Sequence, residues 1–145
     1  MSKIEVGRSY FDRSFNCAQS VAAAFAADFG LDAATLLRVA AAFGGGVARS
    51  GDICGAASGA LMVIGLRYAA AQPDKAAKEH TYERGQEFLA RFRARNGALH
   101  CRALLGYDFA IPQDRDTIRN LKLTHIVCPR LVESAIEILE EMLKA

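Results

Sequence analysis

The sequence predicts an all-α protein, a compact single-domain bundle of about five to six helices spanning residues 1–145. Three observations carry that reading. Apolar residues recur at three- and four-residue spacing through most of the chain, no stretch sustains the strict alternation of a strand, and glycine or proline punctuates the chain between helical segments. At 145 residues, with 52% hydrophobic and 23% charged residues, the chain is long enough to bury a core without disulfide staples.

The first helix is expected to begin near Ser14 or Asn16, with Cys17 in its first turn and Ala18, Val21, Phe25 and Phe29 on one face. Gly30 closes it. Asp32 caps a second helix that buries Leu36, Leu37, Ala40 and Phe43, and Gly44, Gly45 and Gly46 stop it. The third starts at Cys54 and runs towards Ala70, apolar on most sides, as a central helix is. Gly55 and Gly59, with Ala56 and Ala60, put small residues along it at four-residue spacing, where a backbone or a cofactor could approach closely.

After Pro73 and Asp74 a long amphipathic helix extends to about Arg95, with Glu87 and Arg91 as an i,i+4 pair, and Asn96-Gly97 ends it. Arg91, Arg93, Arg95 and Arg102 read as a solvated basic face before they read as an anion site. A short helical stretch opens at His100 and Cys101 and runs through Leu105. Residues 106 to 124 read as a loop with a helical turn in it. The last helix is expected to take Pro129 as its first residue, leaving Cys128 at or next to its N-cap, with Leu131, Val132, Ala135, Ile138, Leu139 and Met142 as its buried stripe.

Composition limits function. Eighteen basic and sixteen acidic residues give a net charge of +2, which calls for neither nucleic acid nor an anionic membrane surface. The apolar run from Ile53 to Leu66 is shorter than the roughly 20 residues of a membrane span, so no membrane insertion is expected. A polar N-terminus without a signal-peptide core leads to a cytoplasmic expectation, and a homodimer is expected from the apolar helical composition. No phosphate-binding loop, dinucleotide fingerprint or hydrolase triad is present.

The chemistry resides in the cysteines. Cys17, Cys54, Cys101 and Cys128 contain no Cys-x-x-Cys pair, yet each is expected in the first turn of a different helix. Thiols at helix starts face unsatisfied N–H groups, so four such starts turned inwards would favour thiolates and a bound cation. Cys54 alone reads equally well as a small buried hydrophobe. As a set, the four fit an iron–sulfur cluster for electron transfer or redox sensing, aided by backbone N–H groups at Gly44, Gly45, Gly46, Gly55 and Gly59. Zinc is an alternative cofactor, disfavoured because structural zinc usually draws on close cysteine pairs. A second alternative is a metal-free thiol–disulfide oxidoreductase with Cys54 as nucleophile and Cys17 or Cys101 as resolving thiol. A third is a non-catalytic helical module whose cysteines hold zinc or remain free. His100 and His125 neighbour Cys101 and Cys128 and read as ordinary surface residues.

Cys17, then Cys54-Gly55-Ala56-Ala57-Ser58-Gly59, then Cys101 and Cys128 resemble the C_GCAxxG_C_C family of redox-active proteins, defined by four cysteines and a CGAxxG motif. The resemblance extends over nearly the whole chain, including the GALMVIGL run after the motif. It implies redox activity carried by Cys17, Cys54, Cys101 and Cys128, with a redox partner that the sequence does not identify. A similar domain stands beside an iron–sulfur site in some haem proteins of anaerobes, but this chain has no Cys-x-x-Cys-His attachment for haem.

Overall fold

Helix-start and helix-stop chemistry divides the chain into more segments than its hydrophobic periodicity suggests. A computed structural model describes residues 1–144 and contains, among them, eight α-helices. These are α1 (Lys3–Asp12), α2 (Cys17–Ala24), α3 (Ala33–Val39), α4 (Gly55–Tyr68), α5 (Lys75–Asn96), α6 (Cys101–Leu105), α7 (Pro112–Asn120) and α8 (Leu123–Leu143). The expectation of five to six helices is thus too low.

Two helices account for the difference. The polar N-terminus forms α1 because Ser2 and Glu5 make a reciprocal capping box around its first turn. Residues 106 to 124, read as mostly loop, contain α7, whose first residue Pro112 needs no N–H donor. The last helix also differs: α8 begins at Leu123, six residues before Pro129, which lies inside it. Proline removes the bond to the carbonyl four residues earlier. That carbonyl belongs to exposed His125, where water can replace the lost partner. Helices α2 and α3 differ too: they end at Ala24 and Val39, with 3-10 turns at Ala26–Phe29 and Ala41–Phe43 before Gly30 and the glycine run, and Asp32 stands at the start of α3 without a side-chain capping bond. The signals of α5 hold: Asp74 caps it by accepting from the Ala77 N–H at 3.0 Å, and Gly97 ends it at φ 90°.

α4 is the central helix, packing on α2, α5 and α8. Its Ala56, Ala57, Ala60 and Val63 are fully buried, and Phe88 and Phe92 of α5 with Val132, Ile138 and Leu139 of α8 complete the main core. Contact between α2 and α4 depends on Gly59, where a Cβ would stand 2.5 Å from the Ala18 carbonyl oxygen. A second, smaller apolar cluster joins Cys101, Leu105, Ile118 and Cys128 beside the main one.

On the outside, Arg91 pairs with Glu87 at 2.7 Å, and Arg95 reaches Glu137 of α8 at 3.0 Å. The basic face of α5 is therefore largely neutralised by carboxylates, as a solvated face is. Among the described residues no strand forms, and no helix is long and apolar enough to cross a membrane.

Candidate four-cysteine cavity

Each cysteine is placed by a different local device. Asn16 caps α2 through a capping box with Gln19, accepting from the Gln19 N–H at 2.8 Å, and Cys17 follows as the first helical residue. The Asn16 amide also donates to the Ala41 carbonyl at 3.0 Å, which ties the start of α2 to the segment entering the glycine run. Cys54 is the N-cap of α4, and Cys101 is the first residue of α6.

Cys54 and Cys101 are held in register by a backbone clip. The Cys54 N–H donates to the Leu99 carbonyl at 2.8 Å, and the Cys101 N–H donates to the Asp52 carbonyl at 2.7 Å. These bonds frame an isolated antiparallel bridge between Ile53 and His100. Cys128 departs from the expected pattern: because α8 starts early, it sits in the second turn and not at a helix start.

The glycine run forms a strap with an uncommon backbone. Gly45, Gly46, Val47, Ala48 and Arg49 have φ of 63°, 69°, 66°, 50° and 58°, five consecutive residues on the left-handed side. L-residues adopt such a run at a cost of roughly 1–2 kcal/mol each. Crossing hydrogen bonds hold it, from the Ala48 N–H to the Ala42 carbonyl at 2.7 Å and from the Asp52 N–H to the Gly46 carbonyl at 2.8 Å. A Cβ on Gly46 would stand 2.6 Å from the Cys101 Cβ, so the strap lies directly against one of the thiols.

Together these elements enclose a cavity of about 820 Å³ lined by all four cysteines and by Gly44, Gly45, Gly46 and Gly55. Gly59 is not on its wall, since it faces α2 inside the helix interface. Cys54, Cys101 and Cys128 are buried, Cys17 is half-buried, and all four are free thiols. His125 reaches the cavity mouth, whereas His100 is committed to the bridge and does not line the cavity.

Burial dominates the thiol electrostatics. It pushes Cys54 up to about 12, although the N–H groups of Ala56 and Ala57 pull the other way. Those amides do not close a capping hydrogen bond, yet they favour negative charge on the sulfur. Cys101 also rises to about 12, chiefly through burial and then through Cys54 and Cys128. The expectation that helix starts alone yield low-pKa thiolates therefore fails at both positions. Cys17 and Cys128 behave as a pair: the Cys17 S–H stabilises charge on Cys128, which is lowered, and Cys17 is raised because it keeps the proton.

Among the described residues no three His, Cys, Asp or Glu side chains are gathered tightly enough for one metal ion. Zinc–thiolate bonds of about 2.3 Å would require sulfurs about 3.8 Å apart. Four soft thiol donors do line one cavity, the donor type that zinc and iron–sulfur clusters both take.

The strap beyond Gly46 and the cavity-lining Arg115, Arg119 and Lys122 were not singled out by the sequence. They carry no motif, and only the fold brings them to the cysteines.

The family model described as "Putative redox-active protein (C_GCAxxG_C_C)" matches residues 15–142, and the chain belongs to this family. Where the family's pattern is written Gly-Cys-Ala, this chain reads Cys54-Gly55-Ala56. No curated protein and no solved structure matches the chain.

Proposed function

We propose that this redox-active family member is an electron carrier or redox sensor in which Cys17, Cys54, Cys101 and Cys128 ligate an iron–sulfur cluster. The observation that carries the proposal is the convergence of four cysteines from four separate helices onto one cavity wall. Iron–sulfur clusters take four thiolates from scattered positions and supply one-electron transfer when bound. The protein's own part is to hold the ligands. The clip between Asp52–Cys54 and Leu99–Cys101 fixes two of them, Asn16 fixes the third, and the second turn of α8 presents the fourth.

Burial holds Cys54 and Cys101 up at about 12, so both carry their protons at neutral pH until a cation is bound. Loading then releases protons, and the N–H groups of Ala56 and Ala57 meet the charge left on Cys54.

A metal-free thiol–disulfide reading is favoured by the placement of Cys17 and Cys128 on one cavity, where the Cys17 thiol favours charge on Cys128. The reactive pair would then be those two, with Cys128 as attacking thiolate, in place of the expected Cys54. Cys128 would attack a disulfide-bearing oxidant and Cys17 would resolve the mixed disulfide, so that one S–S bond forms between them while the oxidant's S–S bond breaks and it takes up the two electrons and two protons as a dithiol.

Anaerobic purification followed by visible absorption and by iron and labile-sulfide assays separates the readings. Broad visible absorption with stoichiometric iron and sulfide, reduced in Cys54→Ser, is the expected result. Colourless protein lacking both, with a Cys17–Cys128 disulfide that cycles with dithiols, would replace the cluster reading by the second one.

A further inference from the structure

The charges around the cavity mouth are one-sided on a molecule that is nearly balanced overall. Arg49, Arg115, Arg119 and Lys122 line it, against one lining carboxylate, Asp12, while Asp108 stands behind the wall, close enough to raise the Cys101 thiol. All four cations are exposed, while the thiols beneath are buried or half-buried. Arg119 pairs with Asp116, and the Arg115 Nε donates to the Phe109 carbonyl at 3.0 Å. Arg49 and Lys122 make no ion pair among the described residues. This differs from α5, where Arg91 and Arg95 are met by glutamates.

Placement of the two unpaired cations uses strained backbone. Arg49 closes the left-handed strap at φ 58°, and its side chain lies over Gly45, whose added Cβ would meet the Arg49 Cγ at 2.7 Å. Lys122 stands at φ 53° at the start of α8. Non-glycine residues in this region cost of order 1–3 kcal/mol and concentrate at functional sites. The cavity, at about 820 Å³, is in the size range of small-molecule sites and is concave.

We propose that this cation-lined mouth selects small anions, carboxylates and oxyanions, as the molecules that reach the four cysteines. The inference deepens the redox reading by naming the class of small reactant admitted to that site, but it does not require the cluster. A field focused at a cleft raises the local concentration of oppositely charged solutes and speeds their arrival by roughly 10- to 1,000-fold.

The test is a ratio of alkylation rates on the full chain, reduced and metal-free. Iodoacetate (anionic) and iodoacetamide (neutral) attack the same thiolates, so their rate ratio cancels differences in thiol ionisation. Each cysteine is read by peptide mass. The native protein at low salt is expected to show a ratio about tenfold above that of the urea-unfolded chain, collapsing near 1 M salt, where the screening length is about 3 Å. Arg49→Gln/Lys122→Gln is expected to lose most of the preference with an unchanged thermal unfolding curve. A native ratio equal to the unfolded one, or a preference that survives both substitutions and high salt, would overturn the inference. Iron and sulfide content is measured separately on the anaerobic protein, so loss of the cluster reading and loss of this one are distinct results.

Discussion

Gly46 shows how much one residue can settle at this site. Its φ is 69°, and an added Cβ would stand 2.6 Å from both the Cys101 Cβ and the Asp52 carbonyl oxygen, so there is no room for a side chain. Gly46→Ala is expected to lower the unfolding free energy measured in urea by about 3 kcal/mol through strain and clash, at the upper end of ordinary single substitutions. Gly30→Ala, also at positive φ but with nothing within 4 Å, is expected to cost only about 1 kcal/mol. Equal losses would show that the strap is not pressed against Cys101. The buried thiols make a second prediction. Cys54 and Cys101 stay protonated in the native protein up to about 12, but ionise near 9.0 once unfolded. Between those values the native state binds more protons, so stability of the metal-free, reduced protein falls as pH rises from about 9 towards 12. Urea melts at pH 8, 9.5 and 10.5 should show declining midpoints; a flat series would mean that the thiols are solvated.

Among the elements, the start of α2 carries both a cap and a tether. Asn16→Ala removes the acceptor for the Gln19 N–H and the donor to the Ala41 carbonyl, and is expected to cost about 1–2 kcal/mol. Asn16→Asp keeps the first and loses the second, so it should recover about half in the same thermal melts. Full recovery would mean that the tether contributes nothing. The helices that could be read from the sequence are those whose signals are local, such as α5 between Asp74 and Gly97 and the apolar α4. α8 was misread because Pro129 fits a first turn by residue type, while the six residues before it are carried into the helix by packing of Leu123 and Val127 on the second cluster. α1 was legible in Ser2 and Glu5, whose spacing is that of a capping box, but its polar face concealed it.

At the scale of the whole molecule, the four cysteines were legible one by one, and their convergence was inferred from helix starts that hold for three of them. Cys128 reaches the same cavity from within α8, so helix starts account for three of the four positions and the register of α8 for the last. The strap and the cationic mouth were hidden for a different reason. Val47, Ala48 and Arg49 give no sign of left-handed backbone, and Arg115, Arg119 and Lys122 are brought to the cavity only by packing of α7 and α8. The central claim is that one ligand set is assembled from four helices. It is tested most directly by iron and labile-sulfide content in anaerobically prepared wild type and in the four single variants Cys17→Ser, Cys54→Ser, Cys101→Ser and Cys128→Ser. Stoichiometric iron and sulfide in the wild type, falling by half or more in every variant, is the predicted result; wild-type protein without iron and sulfide, or variants that all retain both in full, would contradict it.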